Sequence, residues 1–148
     1  MNHFDQAFLG EHREMEARLE GLEELAGGGH WDKAAEIVAR QKAHLVHHID
    51  VEERIVYPAF ETVADDEGRR TLAFLRKRHQ ELPVFFDELA DAVAAHDHQD
   101  VQDTLQTLLR IVADHHATEE RDVFPLFEPE SRLQAVGERA ASELEGAV

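Results

Sequence analysis

The chain has 148 residues, a formal net charge of −17, 43% hydrophobic and 32% charged residues, and no cysteine. That balance fits a single folded, soluble domain and opposes nucleic acid and anionic membrane surfaces, both of which repel it within a Debye length. The missing cysteine excludes a disulfide scaffold, a thiolate metal site, an iron–sulfur cluster and a cysteine nucleophile.

The N-terminal stretch MNHFDQAFLGEHREME shows no basic segment followed by an apolar run, and no stretch approaches the ~20 apolar residues of a membrane span. The expected location is the cytoplasm. Most unusual are 11 histidines, whose positions on the helices carry the argument.

Apolar residues at helical spacing open the chain: Phe4, Phe8, Met15, Leu19 and Leu22, with His12 on the same stripe. Gly27, Gly28 and Gly29 are expected to stop this helix. A second begins near Trp31 or Asp32 and aligns Ala34, Val38, Leu45, His48, Ile55 and Ala59. After a break at Asp65, Asp66 and Gly68, a third carries Leu72, Leu75, His79, Leu82, Phe86, Leu89 and Val93. A polar turn at 96–100 leads to the fourth, with Val101, Leu105, Leu108, Val112, His115, Glu119 and Leu126 on one face. Pro125 and Pro129 close it. Long helices with short connections predict an all-α, up-down-up-down four-helix bundle over residues 1–130. Residues 131–148 read as a short amphipathic helix with Leu133, Val136, Ala140 and Leu144 packed on the bundle.

The two halves match. HHIDVEERIVYP at 47–58 aligns with DHHATEERDVFP at 114–125 at a shift of 67 residues (125 − 58), and the same shift carries His12 onto His79 and Leu22 onto Leu89. The chain therefore reads as a duplicated α-hairpin about a pseudo-two-fold axis. Counting places the histidines at one height. His12 and His48 lie about 16 and 19 residues from the glycine turn, a difference of ~5 Å at ~1.5 Å per residue, and His79 and His115 lie about 18 residues each from the turn near 97. Glu52 and Glu119 follow His48 and His115 by four residues, one turn along the same face.

Four imidazoles and two carboxylates in an apolar core need compensation, since an unpaired buried carboxylate costs on the order of several kcal/mol. Two divalent cations supply it. His12, His48, Glu52, His79, His115 and Glu119 are the expected ligands, two histidines to each ion and the glutamates bridging both. That set suits iron best, with manganese or zinc as alternatives, and leaves positions open for a bridging oxygen and an exogenous ligand.

The segments EHREM, HIDVEERIVYP, RHQEL and HATEERDVFP resemble the hemerythrin-like (HHE cation-binding) family over about residues 4–128. The resemblance implies a four-helix bundle holding a non-haem, oxo- or hydroxo-bridged di-iron centre that binds, senses or reacts with dioxygen, nitric oxide or peroxide. Two features depart from the oxygen-carrying members. Positions four away from His79 are Leu75 and Pro83, where they have a second histidine, and Glu119 stands for their later aspartate. Reversible oxygen transport loses ground to redox reactivity or sensing. The alternative reading is an iron- or oxygen-responsive regulatory module without turnover. The electron donor and the oligomeric state stay open.

The neighbours have assigned expectations too. Glu53 and Glu120 point about 100° from the ligand face and read as surface residues paired with Arg54 and Arg121. His44 reads as a core or boundary residue in preference to a further ligand, and His47 and His116 as facing outward. Tyr57, standing where the other half has Phe124, reads first as helix-end packing, with a hydrogen bond at the centre as the alternative. Glu16 is a weak candidate oxygen ligand. Pro58 and Pro125 are expected to end or kink their helices, and Pro83 to kink the third.

Overall fold

The computed structural model describes residues 2–146; Met1 and the last two residues of the expected C-terminal piece lie outside them. The elements are α1 (His3–Glu20), α2 (Leu22–Gly27), α3 (Trp31–Val51), a π-helical turn (Glu52–Val56), α4 (Tyr57–Glu61), α5 (Asp66–Ala94), α6 (His98–Asp122), a 3-10 turn (Phe124–Phe127) and α7 (Gln134–Glu145). There is no strand among the described residues.

The starts of the helices follow from their polar caps. Asn2, Asp65 and Asp97 each accept a backbone N–H three residues on, from Asp5, Gly68 and Asp100, at 2.8, 2.8 and 3.0 Å. Each satisfies an N–H that the helix itself leaves free. The first expected helix is divided: Gly21, a poor helix former, separates α1 from α2 while Leu22 and Ala26 stay buried. The glycine turn then ends α2, with Gly29 in the left-handed region at φ +76°. At the same end of the bundle, the ring of Trp31 stacks on His96 at 4.9 Å and 4°.

The four bundle helices pack as a ring. α3 packs on α5, α5 on α6, α6 on α1 and α2, and these on α3. Two apolar clusters fill its interior. One contains Leu19, Leu45, Phe86, Leu89 and Leu105; the other contains Phe4, Phe8, Ile55, Phe60, Leu75 and Phe127, and is closed by Leu133, Ala140 and Leu144 from the C-terminal segment. α7 lies against α1 and the π turn, as the amphipathic pattern predicts. Gly137 permits the close approach, since a β-carbon there would come within 3.3 Å of the Phe127 ring.

The prolines act differently in the two halves. Pro58 has no N–H and its ring would meet the Arg54 carbonyl. The second bundle helix is not broken there but widened, and the Tyr57 N–H reaches back five residues to the Glu52 carbonyl. In the second half α6 simply ends at Asp122, and the 3-10 turn holds Pro125 near its start. That tighter turn directs Phe127 inward and leaves Leu126 40% exposed, correcting its expected place on the core face. α5 continues as a single helix across Pro83.

Candidate metal centre

Between the two apolar clusters lies one polar layer. His12, His48, Glu52, His79, His115 and Glu119 are all buried, the two glutamates at 0% exposure. Their donor atoms form two sets, His12–His48–Glu52–Glu119 and Glu52–His79–His115–Glu119, each with all atoms within 4.8 Å of one another. The glutamates belong to both. All six expected residues are thus brought together, in the division that the repeat predicts.

The rings point inward because carboxylates hold their outer edges. His12 donates Nδ1–H to Glu120 at 2.9 Å, His79 to Glu53 at 2.6 Å and His48 to Glu11 at 3.1 Å. Fixing Nδ1 as the donor leaves Nε2 as the free nitrogen. Glu53 and Glu120 were expected on the surface; instead each is partly sheltered and grips a histidine of the opposite hairpin. The doubled Glu-Glu after each His-x-x-x is the sequence signal, since the second glutamate turns toward the neighbouring helix. Arg54 and Arg121 do not pair with them. Arg54 binds Asp50 and Glu143, Arg121 binds Asp122, and Arg76 reaches Glu53 at 3.4 Å.

Five other residues depart from expectation, wholly or in part. His116 is buried, not outward: its ring lies flat on His12 at 3.6 Å and 4°, with Nδ1 3.1 Å from Glu16. Glu16 is thereby the partner of His116 and stands outside both donor sets. His44 is exposed, on the rim beside Glu11 and Gln41, and joins neither set. His47 is half-buried and donates Nε2–H to the Glu143 carbonyl of α7 at 3.0 Å. Tyr57 packs at the helix end as expected, but its hydroxyl also enters the layer. It donates to Glu119 Oε2 at 2.8 Å and lies 3.1 Å from His79 Nε2, its ring stacked on that imidazole at 4.9 Å and 6°.

The electrostatics shows what the layer lacks. Burial works against a proton on each histidine, yet the carboxylates prevail at three of them. Glu119 and Glu120 raise His12, Glu52 and Glu11 hold His48 well above the usual imidazole range, and Glu52 and Glu53 push His79 up to about 9. Burial likewise opposes the charge on Glu52, but His48 and the other partners hold its carboxyl well below the usual range. His115 has no carboxylate on Nδ1; burial, opposed by Glu119 and aided by His79, His12 and His48, brings it down to about 4. Protons therefore supply compensation wherever a cation does not.

That compensation is incomplete. Nε2 of His12 and of His48, both oxygens of Glu52 and Oε1 of Glu119 are buried and make no hydrogen bond of good geometry, although they face one another and the His79 and His115 rings at 3.1–3.4 Å. Unpartnered nitrogen and carboxylate lone pairs converging at one level are the donor set a divalent transition metal takes. The residues fit such ions.

Among the described residues no helix is long and apolar enough to cross a membrane. The family model of the hemerythrin HHE cation-binding domain matches residues 3–127 and again 70–145. The second match begins 67 residues after the first (70 − 3), the shift that superposes the two hairpins. No curated protein and no solved structure matched the chain significantly. The match over most of the chain, on a helical bundle with this buried histidine–glutamate layer, shows that the protein belongs to the hemerythrin HHE cation-binding domain family.

Proposed function

We propose that the layer holds two iron ions, one on His12 and His48 and one on His79 and His115, with Glu52 and Glu119 shared, and that this pair binds, senses or reacts with a small oxidant: dioxygen, nitric oxide or peroxide. The carrying observation is the set of buried, unpartnered donor atoms between two dry cores. When bound, iron supplies one-electron chemistry and coordination positions open to a small ligand. The chain's own residues do the rest. Glu11, Glu53 and Glu120 hold the imidazoles in one tautomer and orientation. Phe8 and Phe124 pack edge-on and face-on against His48 and His12 at 5.2 and 5.4 Å, giving the layer apolar walls. The Tyr57 hydroxyl reaches the same layer, donating to Glu119 at 2.8 Å.

Elemental analysis, followed by stopped-flow spectra of the anaerobically reduced protein mixed with each oxidant, tests the reading. Two irons per chain and a spectral change with at least one oxidant are expected. A native chain that carries no metal, or a loaded one silent to all three, overturns it.

One observation favours a second reading, a regulatory module without turnover. α7 is tied to the ligand-bearing helix by His47 and Arg54, which reach the Glu143 carbonyl and carboxylate at 3.0 and 3.3 Å. A change of metal state at Glu52 reaches α7 through the adjoining π turn. Identical protease sensitivity of α7 in metal-free and loaded protein would eliminate this reading.

A further inference from the structure

The repeat makes the two donor sets equivalent except at one atom. Where the second hairpin has Phe124, the first has Tyr57, and the π turn carries it inward: five residues after Glu52 is one wide turn, so both side chains face the layer. Donors bound at ~2.1 Å to an octahedral cation lie ~3.0 Å apart along each edge. The His79 side of the layer has that spacing. His79 Nε2 lies 3.2 Å from His115 Nε2 and 3.1 Å from Glu52 Oε1, and His115 Nε2 lies 3.3 Å from Glu119 Oε1. The Tyr57 oxygen falls on the same lattice of distances, 3.1 Å from His79 Nε2 and 2.8 Å from Glu119 Oε2. The side chain that carries it is fully buried.

Resting on the two-metal reading, we propose that Tyr57 is a direct phenolate ligand of the ion on His79 and His115, a fifth protein donor beyond the two histidines and two shared glutamates. Its proton, now shared with Glu119, passes to solvent as the oxygen takes the cation. The ion on His12 and His48 has only an apolar ring, Phe124, on its corresponding side. The pair is therefore unsymmetrical: the Tyr57 ion is the more completely enclosed by protein, and the His12–His48 ion keeps the position open to an exogenous ligand.

Tyr57 is the only tyrosine in the chain, which makes the test decisive. The full chain is loaded with ferric iron, its metal content measured, and its visible absorption and resonance Raman spectra recorded. A phenolate-to-iron charge-transfer band, with tyrosine ring modes enhanced on excitation within it, is expected. It should vanish completely in Tyr57→Phe, a side chain that the other hairpin already accommodates as Phe124. Iron bound without that band, or a band that survives Tyr57→Phe, overturns the phenolate ligand and leaves the metal centre standing. A chain that takes no iron overturns both.

Discussion

The two hairpins share a scaffold and differ in what surrounds their buried histidines and glutamates. His12 is gripped by Glu120 and His79 by Glu53, and these pairs interchange under the 67-residue shift (12 + 67 = 79; 120 − 67 = 53). His48 has Glu11 on its outer nitrogen, whereas His115 has none, because Arg78 stands where the repeat would place that glutamate. The first hairpin widens after its glutamate and delivers a phenol; the second stops and delivers a phenyl ring. His116 stacks on His12, and its counterpart in the first hairpin is Ile49. Duplication thus preserves the donors and lets their supports diverge. A symmetric set of histidines and glutamates sits in two different surroundings.

The largest expected effect tests what the hairpins share. Replacing both Glu52 and Glu119 by Gln should reduce bound metal to background in elemental analysis after dialysis, because both shared charges are gone. Full retention would break the charge-compensation argument for both halves at once. Next come the scaffold positions. Phe86→Ala should cost ~3–5 kcal/mol and its repeat counterpart Leu19→Ala ~2–5 kcal/mol in denaturant unfolding, with metal stoichiometry unchanged. A loss of metal in either would mean that the far core, and not the polar layer alone, positions the ligands.

The supporting carboxylates sharpen the comparison. Glu53→Gln and Glu120→Gln should each weaken metal binding by ~10–100-fold in competition with a chelator. Glu11→Gln should weaken it by ~10-fold, while Arg78→Gln, at the position repeating Glu11, should leave it unchanged. Equal losses at Glu11 and Arg78 would show that the hairpins are supported alike after all.

Smallest is an effect at the seam between α1 and α7. His3 bonds Glu145 and Glu138, and those bonds raise its pKa against a slight opposing effect of burial. A raised folded pKa stabilises fully below the unfolded imidazole value near 6.5, and the contribution fades as pH rises through the folded value. His3→Gln should therefore lower the thermal midpoint slightly at pH 6 and leave it unchanged well above neutrality. A difference that grows with pH would refute the pairing.

Much of this was legible in the residues. The 3.6-residue stripes locate the helices, and the 67-residue shift points to the six residues that the structure brings together. What escaped notice depends on neighbouring helices or on non-α turns. Glu53 and Glu120 look like surface residues on their own helix, because the histidines they grip belong to another. His116, adjacent to His115, is buried because the α1–α6 seam lies on its side. The inward turn of Tyr57 requires one π turn, and periodicity at 3.6 does not register an extra residue. Pro58, unable to close an α-helical bond and expected to end or kink its helix, is the available clue; it accompanies a widening instead.

The stack of Trp31 on His96 at the glycine-turn end has a practical meaning. Trp31 is the chain's only tryptophan, as Tyr57 is its only tyrosine, and about 17 residues of α3, or ~25 Å, separate Trp31 from His48. Indole fluorescence therefore reports whether the remote end of the molecule stays closed, while phenol absorption reports what happens among the histidines. One unlabelled sample can be followed at two places, so ion loading and bundle opening can be timed separately in the same mixing experiment.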